Sequence, residues 1–206
     1  MITQLPIGLV GSNCYIVYDQ EKGRGAVVDP GGEIQAVLNE IKKREIDILY
    51  ILNTHGHFDH TVANAKIKAN FDVPLGLHPD DYELLKQGGG ASWFNLPTAV
   101  SPMPDLQLVE GLILEIGTLH IQVYHTPGHT PGGVCFYIPE DHALLTGDTL
   151  FAGSVGRTDL PGGDAEQLAQ SLYRLLTLPP QTIIYPGHGP STTLQQELKN
   201  NPWLRK

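Results

Sequence analysis

Residues 48–60 read Ile-Leu-Tyr-Ile-Leu-Asn-Thr-His-Gly-His-Phe-Asp-His. Ile48 to Leu52 is an apolar run with the length of a buried strand. Four metal-capable side chains follow within six positions: His55, His57, Asp59 and His60. Such a cluster at a strand end reads as half of a metal site, which raises the question of whether the rest of the chain supplies the other half.

Outward from this stretch, short apolar segments alternate with helical patterns. On the N-terminal side, Met1–Ile7 and Asn13–Tyr18 read as strands joined by a Gly8–Gly11 turn region. Gly25–Val28 is a short strand running into Asp29-Pro30-Gly31-Gly32. Residues 33–45 carry Ile34, Val37, Leu38 and Ile41 at helical spacing, with basic residues at 42 to 44 suiting a helix C-terminus. On the other side, a helix is expected over Val62–Phe71, a strand over Pro74–Leu77 and a helix over Pro79–Gln87. Gly88–Leu106 is irregular and long for a loop, and such loops serve as lids or binding loops. Its Trp93-Phe94 pair reads either as part of a lid over a substrate or as plain packing. A hairpin about Gly117-Thr118 joins Leu112–Ile116 to Leu119–Tyr124. Strands over Val134–Ile138, Ala143–Leu145 and Thr182–Tyr185 follow. Asp164, with Gln167 three residues on, caps a helix through Leu176, and Thr193 with Gln196 opens a final one. Two groups of strands, each interleaved with helices, fit an α/β fold of two packed sheets with helices outside. Periodicity alone does not separate this from one open sheet.

The 206 residues suit a single domain, 1–206, with a substantial core. The net charge of -9 disfavours nucleic acid or an anionic membrane as a partner. No apolar run approaches the ~20 residues needed to cross a bilayer, and Met1–Val10 lacks the pattern of a signal peptide. The two cysteines, Cys14 and Cys135, sit in apolar strands and read as buried free thiols in a reducing cytoplasm.

Three further strand ends carry polar residues. His129 follows Leu119–Tyr124, Asp148 follows Ala143–Leu145, and His188 follows Thr182–Tyr185. Glycines flank all three, so the backbone can turn sharply there. Five histidines and two aspartates suffice for two ions. Imidazole and carboxylate donors without thiolate suit zinc, iron or manganese. One carboxylate, and a hydroxide, can bridge two ions roughly 3.5–4 Å apart. Two divalent ions against two carboxylates and one hydroxide leave a net charge of about +1, a modest centre for an anionic or carbonyl substrate.

The string His55-x-His57-x-Asp59-His60, with His129, Asp148 and His188 in order, resembles the metallo-β-lactamase superfamily across nearly the whole chain. The resemblance implies a four-layer αββα sandwich with metals at one edge. It implies a first site of His55, His57 and His129, and a second of Asp59, His60 and His188, with Asp148 bridging. The motifs His125-Thr-Pro-Gly-His-Thr-Pro-Gly, Thr146-Gly-Asp-Thr-Leu-Phe, Gly156-Arg157-Thr158-Asp159 and Asn201-Pro-Trp-Leu are similar to glyoxalase II-like hydrolases, most of all the short bacterial form. The full-length hydroxyacylglutathione hydrolases carry a further C-terminal helical region that grips glutathione.

The expectation is a binuclear hydrolase of a small-molecule thioester of the S-lactoylglutathione type, with zinc as the leading metal and a bridging hydroxide as nucleophile. Asp59 is then both ligand and proton acceptor. Asp29 resembles the family's acidic residue that steadies the ligands, though a turn residue bracing Pro30-Gly31 would look the same. Arg157 reads either as a clamp for a substrate carboxylate or as a brace for its own loop through Asp159. His78, His120, His125 and His142 match no ligand position and read as surface or core histidines. The Gly-Arg-Thr-Asp loop is also similar to persulfide dioxygenases, whose single iron would sit on His55, His129 and Asp148. A metal-binding module without turnover would be marked by a missing ligand, and none is missing.

Overall fold

The computed structural model describes residues 1–8 and 10–204. Leu9, inside the expected Gly8–Gly11 turn, lies outside the described residues, as do positions 205 and 206 of the expected 1–206 domain. Two six-stranded sheets are present. The first runs in order β1 (Ile2–Pro6), β2 (Asn13–Asp19), β3 (Arg24–Val28), β4 (Asp47–Leu52), β5 (Leu75–Leu77) and β6 (Leu106–Gln107). Pairing is antiparallel from β1 to β3 and parallel from β3 to β6.

The second sheet contains β7 (Ile113–Ile116), β8 (Leu119–His125), β9 (Val134–Ile138) and β10 (Ala143–Gly147), joined antiparallel in sequence. A small ribbon of β11 (Leu150–Phe151) and β12 (Ser154–Val155) interrupts the chain. Then β13 (Ile183–Pro186) lies parallel to β10, and β14 (Thr192–Thr193) closes the edge.

Strand periodicity explains the layers. In β2, Tyr15 and Val17 join the core between the sheets, whereas Cys14, Ile16 and Tyr18 face an outer core. That outer core is covered by helices α1 (Gln35–Lys43) and α3 (Asn64–Phe71), through Val37, Ile41 and Ile67, and the short helix α2 (Phe58–Thr61) comes between them in sequence. A short helix, α4 (Tyr82–Lys86), continues a 3-10 turn over Pro79–Asp81. In β9, Val134, Phe136 and Ile138 point inward while Cys135 and Tyr137 point out. There they meet Leu168, Leu172 and Leu175 of α5 (Ala165–Leu175) and Leu194 of α6 (Leu194–Asn200). Central strands buried on both faces carry nearly continuous apolar runs. The result is an αββα sandwich. The cysteines face opposite outer cores and both are free thiols.

Most expected elements form within a residue or two of their expected ends, with instructive exceptions. The helix expected over Val62–Phe71 begins at Asn64, because Ala63 departs to φ -101°, ψ 5°, and a separate short helix, α2, precedes it. The histidine cluster itself enters α2, with His57 extended as its N-cap. The Pro79–Gln87 helix opens as a 3-10 turn with proline at its start. The Gly88–Leu106 stretch holds a 3-10 turn over Ala91–Phe94, bounded by left-handed Gly90 and Asn95. Strands β6, β11, β12 and β14 have two residues each, too few for any period to register. No described helix is long and apolar enough to cross a membrane.

Phe136 is fully buried between the sheets. Phe136→Ala is expected to lower stability by about 3–5 kcal/mol in urea unfolding followed by circular dichroism. A loss under about 1 kcal/mol would mean the sheets do not pack through this ring.

Candidate metal centre

The strand ends set the site. β3 and β4 run parallel and finish at one edge, followed by Asp29 and by the cluster at 55–60. In the facing sheet β8, β10 and β13 run one way and are followed by His129, Asp148 and His188. Cross-sheet bonds lock the two edges together. Tyr15 Oη donates to the Pro186 carbonyl at 2.6 Å, Asn13 N–H to Gly187 O at 2.7 Å, and Val134 N–H to Thr54 O at 2.7 Å. Gly187 is required by close approach: a Cβ there would lie 2.1 Å from Asp148 Oδ1.

Seven side chains from four loops converge. His57 Nδ1 lies 2.9 Å from His129 Nε2, and these two with His55 form one group that could hold an ion. Asp59, His60 and His188 form a second: His188 Nε2 is 3.1 Å and His60 Nε2 3.4 Å from Asp59 Oδ2, and the two nitrogens are 3.4 Å apart. Asp148 stands between the groups. Its Oδ2 is 3.5 Å from His129 Nε2 and 3.6 Å from His188 Nε2, and its Oδ1 is 3.5 Å from His60 Nε2. Donors about 2.1 Å from a tetrahedral ion sit roughly 3.4 Å from each other, which is the spacing found. His55 Nε2, His57 Nε2 and Asp148 Oδ1 are buried with no hydrogen-bond partner among the described residues. Unsatisfied buried groups of this kind cost about 1–3 kcal/mol each, and a cation is the partner that would suit His55 Nε2 and Asp148 Oδ1, whereas His57 meets His129 through its other nitrogen, Nδ1.

A surrounding shell of acceptors fixes the rings. The His129 Nδ1–H donates to Arg157 O at 2.7 Å, which leaves Nε2 with its lone pair toward the centre. Asp29, buried, accepts from Thr54 N–H at 2.7 Å, Thr54 Oγ1 at 2.6 Å and His60 Nδ1–H at 3.1 Å. Thr54 Oγ1 in turn lies 3.1 Å from His55 Nδ1. Asp29 has φ 50°, a left-handed conformation sustained by these contacts.

Electrostatics in the ion-free centre follow from burial and neighbours. Burial lowers the proton affinity of His55 well below its ordinary value, with the charges of the neighbouring histidines adding to it. His57 falls to about 3, again chiefly by burial and then by His129. For His60, burial also opposes charging, but Asp59, Asp148 and Asp29 outweigh it and push its pKa well up. His188 is raised despite burial, by its bond to Asp59 and by Asp148. Burial favours a neutral Asp59, yet His60 and the bonds from His188 and His60 hold it far below the carboxylate range. His55 and His57 thus favour neutral imidazole, the ligand form, while His60 and His188 hold protons that a cation would displace.

A cleft of about 290 Å³ opens over these groups, walled by Val10, Phe58, Phe94, Leu96, Leu160 and Arg157. Phe94 lies 6.1 Å from Phe58 ring to ring, and Trp93 stands edge-on to His57 at 5.9 Å. The Arg157 guanidinium makes two 2.7 Å bonds to Asp159. Sequence reasoning missed Asp81. Buried, it accepts from Gly56 N–H at 2.8 Å, Thr130 Oγ1 at 2.8 Å and Gly132 N–H at 2.7 Å, tying the 54–60 loop to the loop of His129. No motif marks it, because its partners come from separate loops.

Comparison with known proteins identifies the family. A family model described as the metallo-beta-lactamase superfamily matches residues 7–188. Hydroxyacylglutathione hydrolase GloC of Haemophilus influenzae is 38% identical, with 97% of this chain and 96% of GloC covered. The solved structure of BLEG-1 B3 metallo-beta-lactamase superposes with TM-score 0.94 at 38% identity, covering 100% of each chain. TTHA1623, solved in a di-iron-bound form, superposes with TM-score 0.90 at 42% identity, covering 98% of this chain and 100% of that one.

Asp29→Ala is expected to weaken metal retention by about 10–100-fold, measured by dialysis against a chelator, with the fold kept by circular dichroism. Because His60 and His188 favour their charged forms, metal affinity should fall by at least about tenfold between about pH 8 and about pH 5.5, since each ion must displace protons. Affinity independent of pH across that range would contradict the assignment.

Proposed function

We propose that this chain, which belongs to the metallo-β-lactamase superfamily, is a binuclear hydrolase of small-molecule thioesters of the S-lactoylglutathione type. Superfamily membership supports metal-dependent hydrolysis. The thioester reading is supported by the full-length likeness to GloC. The observation that carries the two-ion part is Asp148, set between two histidine-rich groups with His55 Nε2 and Asp148 Oδ1 left unpartnered.

In this reading His55, His57 and His129 would hold one divalent ion, Asp59, His60 and His188 would hold the other, and Asp148, standing between the groups, would be a ligand within reach of each. The ions supply Lewis-acid charge and a water of lowered pKa. The residues do the rest. Asp29 and the Arg157 carbonyl keep His60 and His129 in the ligating tautomer. Asp59 stays ionised, and its carboxylate takes the proton given up by the attacking water. Phe58, Phe94 and Leu96 wall the cleft and exclude bulk water from the ester. A thiolate leaves without a dedicated acid, because thiols ionise near pH ~8.5. Arg157 is held by Asp159, so it braces the loop that carries the His129 partner. Zinc is the ion we propose, and the di-iron form of TTHA1623 supports iron as the second reading. Two buried unpaired thiols support a reducing cytoplasm as its place.

Asp59→Ala is expected to remove one ion per chain and lower thioester turnover by at least about 100-fold, read by metal analysis and a thiol-release assay. Full activity with one ion would sink the two-ion reading. On a substrate panel, S-lactoylglutathione should be cleaved faster than a β-lactam, without oxygen uptake on glutathione persulfide; the reverse order, or oxygen uptake, would replace the thioester reading.

A further inference from the structure

A second group of metal-capable side chains lies apart from the seven residues above. His78 follows β5, and His125 ends β8. Their rings stack face to face, centroids 4.0 Å apart and 8° from parallel. Asp80 completes the group: its Oδ2 is 3.7 Å from His78 Nδ1, and one ligand atom from each residue lies within 4.8 Å of the others.

The hydrogen bonds define which nitrogens carry lone pairs. His125 Nε2 faces the Pro131 carbonyl at 2.9 Å, so it carries the proton and Nδ1 is free to ligate. His78 Nδ1 accepts the Asp80 N–H at 3.2 Å, a long bond that a cation could replace. Two imidazoles in this contact repel if both are charged, and burial together with His125 holds His78 toward its neutral, ligating form. Parallel rings aim their lone pairs side by side, so binding requires rotation about the Cβ–Cγ bonds. Asp80, 59% exposed at its side chain, is free to follow.

We propose that His78, Asp80 and His125 form a separate site for one borderline divalent cation, such as zinc. Two imidazoles and one carboxylate are a donor set that suits it. The site is joined to the catalytic frame. The His78 carbonyl accepts the Asp81 N–H at 3.1 Å, and Asp81 holds Gly56, Thr130 and Gly132. His125 bonds Pro131 in the same loop. An ion there would clamp the turn of Asp81 to the loop that presents His129.

The test is equilibrium dialysis of the metal-loaded protein against zinc, with bound ions counted by mass spectrometry. Wild-type protein should hold one more zinc per chain than His125→Gln and than Asp80→Asn. Added zinc should raise the Tm of wild-type protein and of neither variant, while basal turnover stays unchanged in both. Equal zinc counts in all three proteins would overturn the site. The difference between wild type and variants does not depend on how many ions the Asp148 centre holds, so failure of the two-ion reading is separately visible.

Discussion

Three hydrogen bonds to the Asp29 carboxylate fix where the two halves of the 54–60 loop sit. One oxygen takes the Thr54 amide, and the other takes the Thr54 hydroxyl and the His60 ring. Asp29 itself is anchored by its own amide to Leu52 O at 3.0 Å, so the strand that precedes the loop also positions the residue that holds it. The loop cannot move without breaking buried charge-assisted bonds, which are about twice as strong as neutral ones. From this one residue, order spreads through Thr54 to His55 and through His60 toward Asp59 and His188.

The sandwich makes such a centre possible. Two sheets with both faces buried give rigid strand ends, and bonds from Asn13 and Tyr15 to the 186–189 segment hold those ends in register across the interface. On that frame the chain presents buried nitrogens and a carboxylate oxygen with no hydrogen-bond partner among the described residues. Their burial is unfavourable without a cation, and the energy of the core carries it. Within each candidate group the ligand atoms are already gathered within 4.8 Å of one another, so an ion bound by them would cost little reorganisation. The apolar walls at Phe58, Phe94 and Leu96 raise the effective strength of charge at the base of the cleft.

The sequence disclosed what local pattern encodes. Two groups of strands, each interleaved with helices, pointed to two packed sheets but left one open sheet equally compatible with the periodicity, and the spacing of 55, 57, 59 and 60 singled out the loop that the structure gathers with His129, Asp148 and His188. Two-residue strands were silent, because a period needs more than two residues to be read. Asp81 was silent because its three partners lie at 56, 130 and 132. The pairing of His78 with His125 depends on β5 and β8 ending near one another, which no spacing within either segment reveals. Arg157 and Trp93 show the opposite limit. Their residue types were conspicuous, but which partner each would take, Asp159 and His57, was decided by the fold.

In the proposed binuclear centre one chain would hold two ions about a shared Asp148. Anomalous diffraction from crystals of the metal-loaded protein, collected on both sides of the metal absorption edge, tests it directly. Two peaks per chain are expected at this edge of the sandwich, one ligated by His55, His57 and His129, the other by Asp59, His60 and His188, with Asp148 touching both. A single peak there, or Asp148 bound to neither ion, would contradict it.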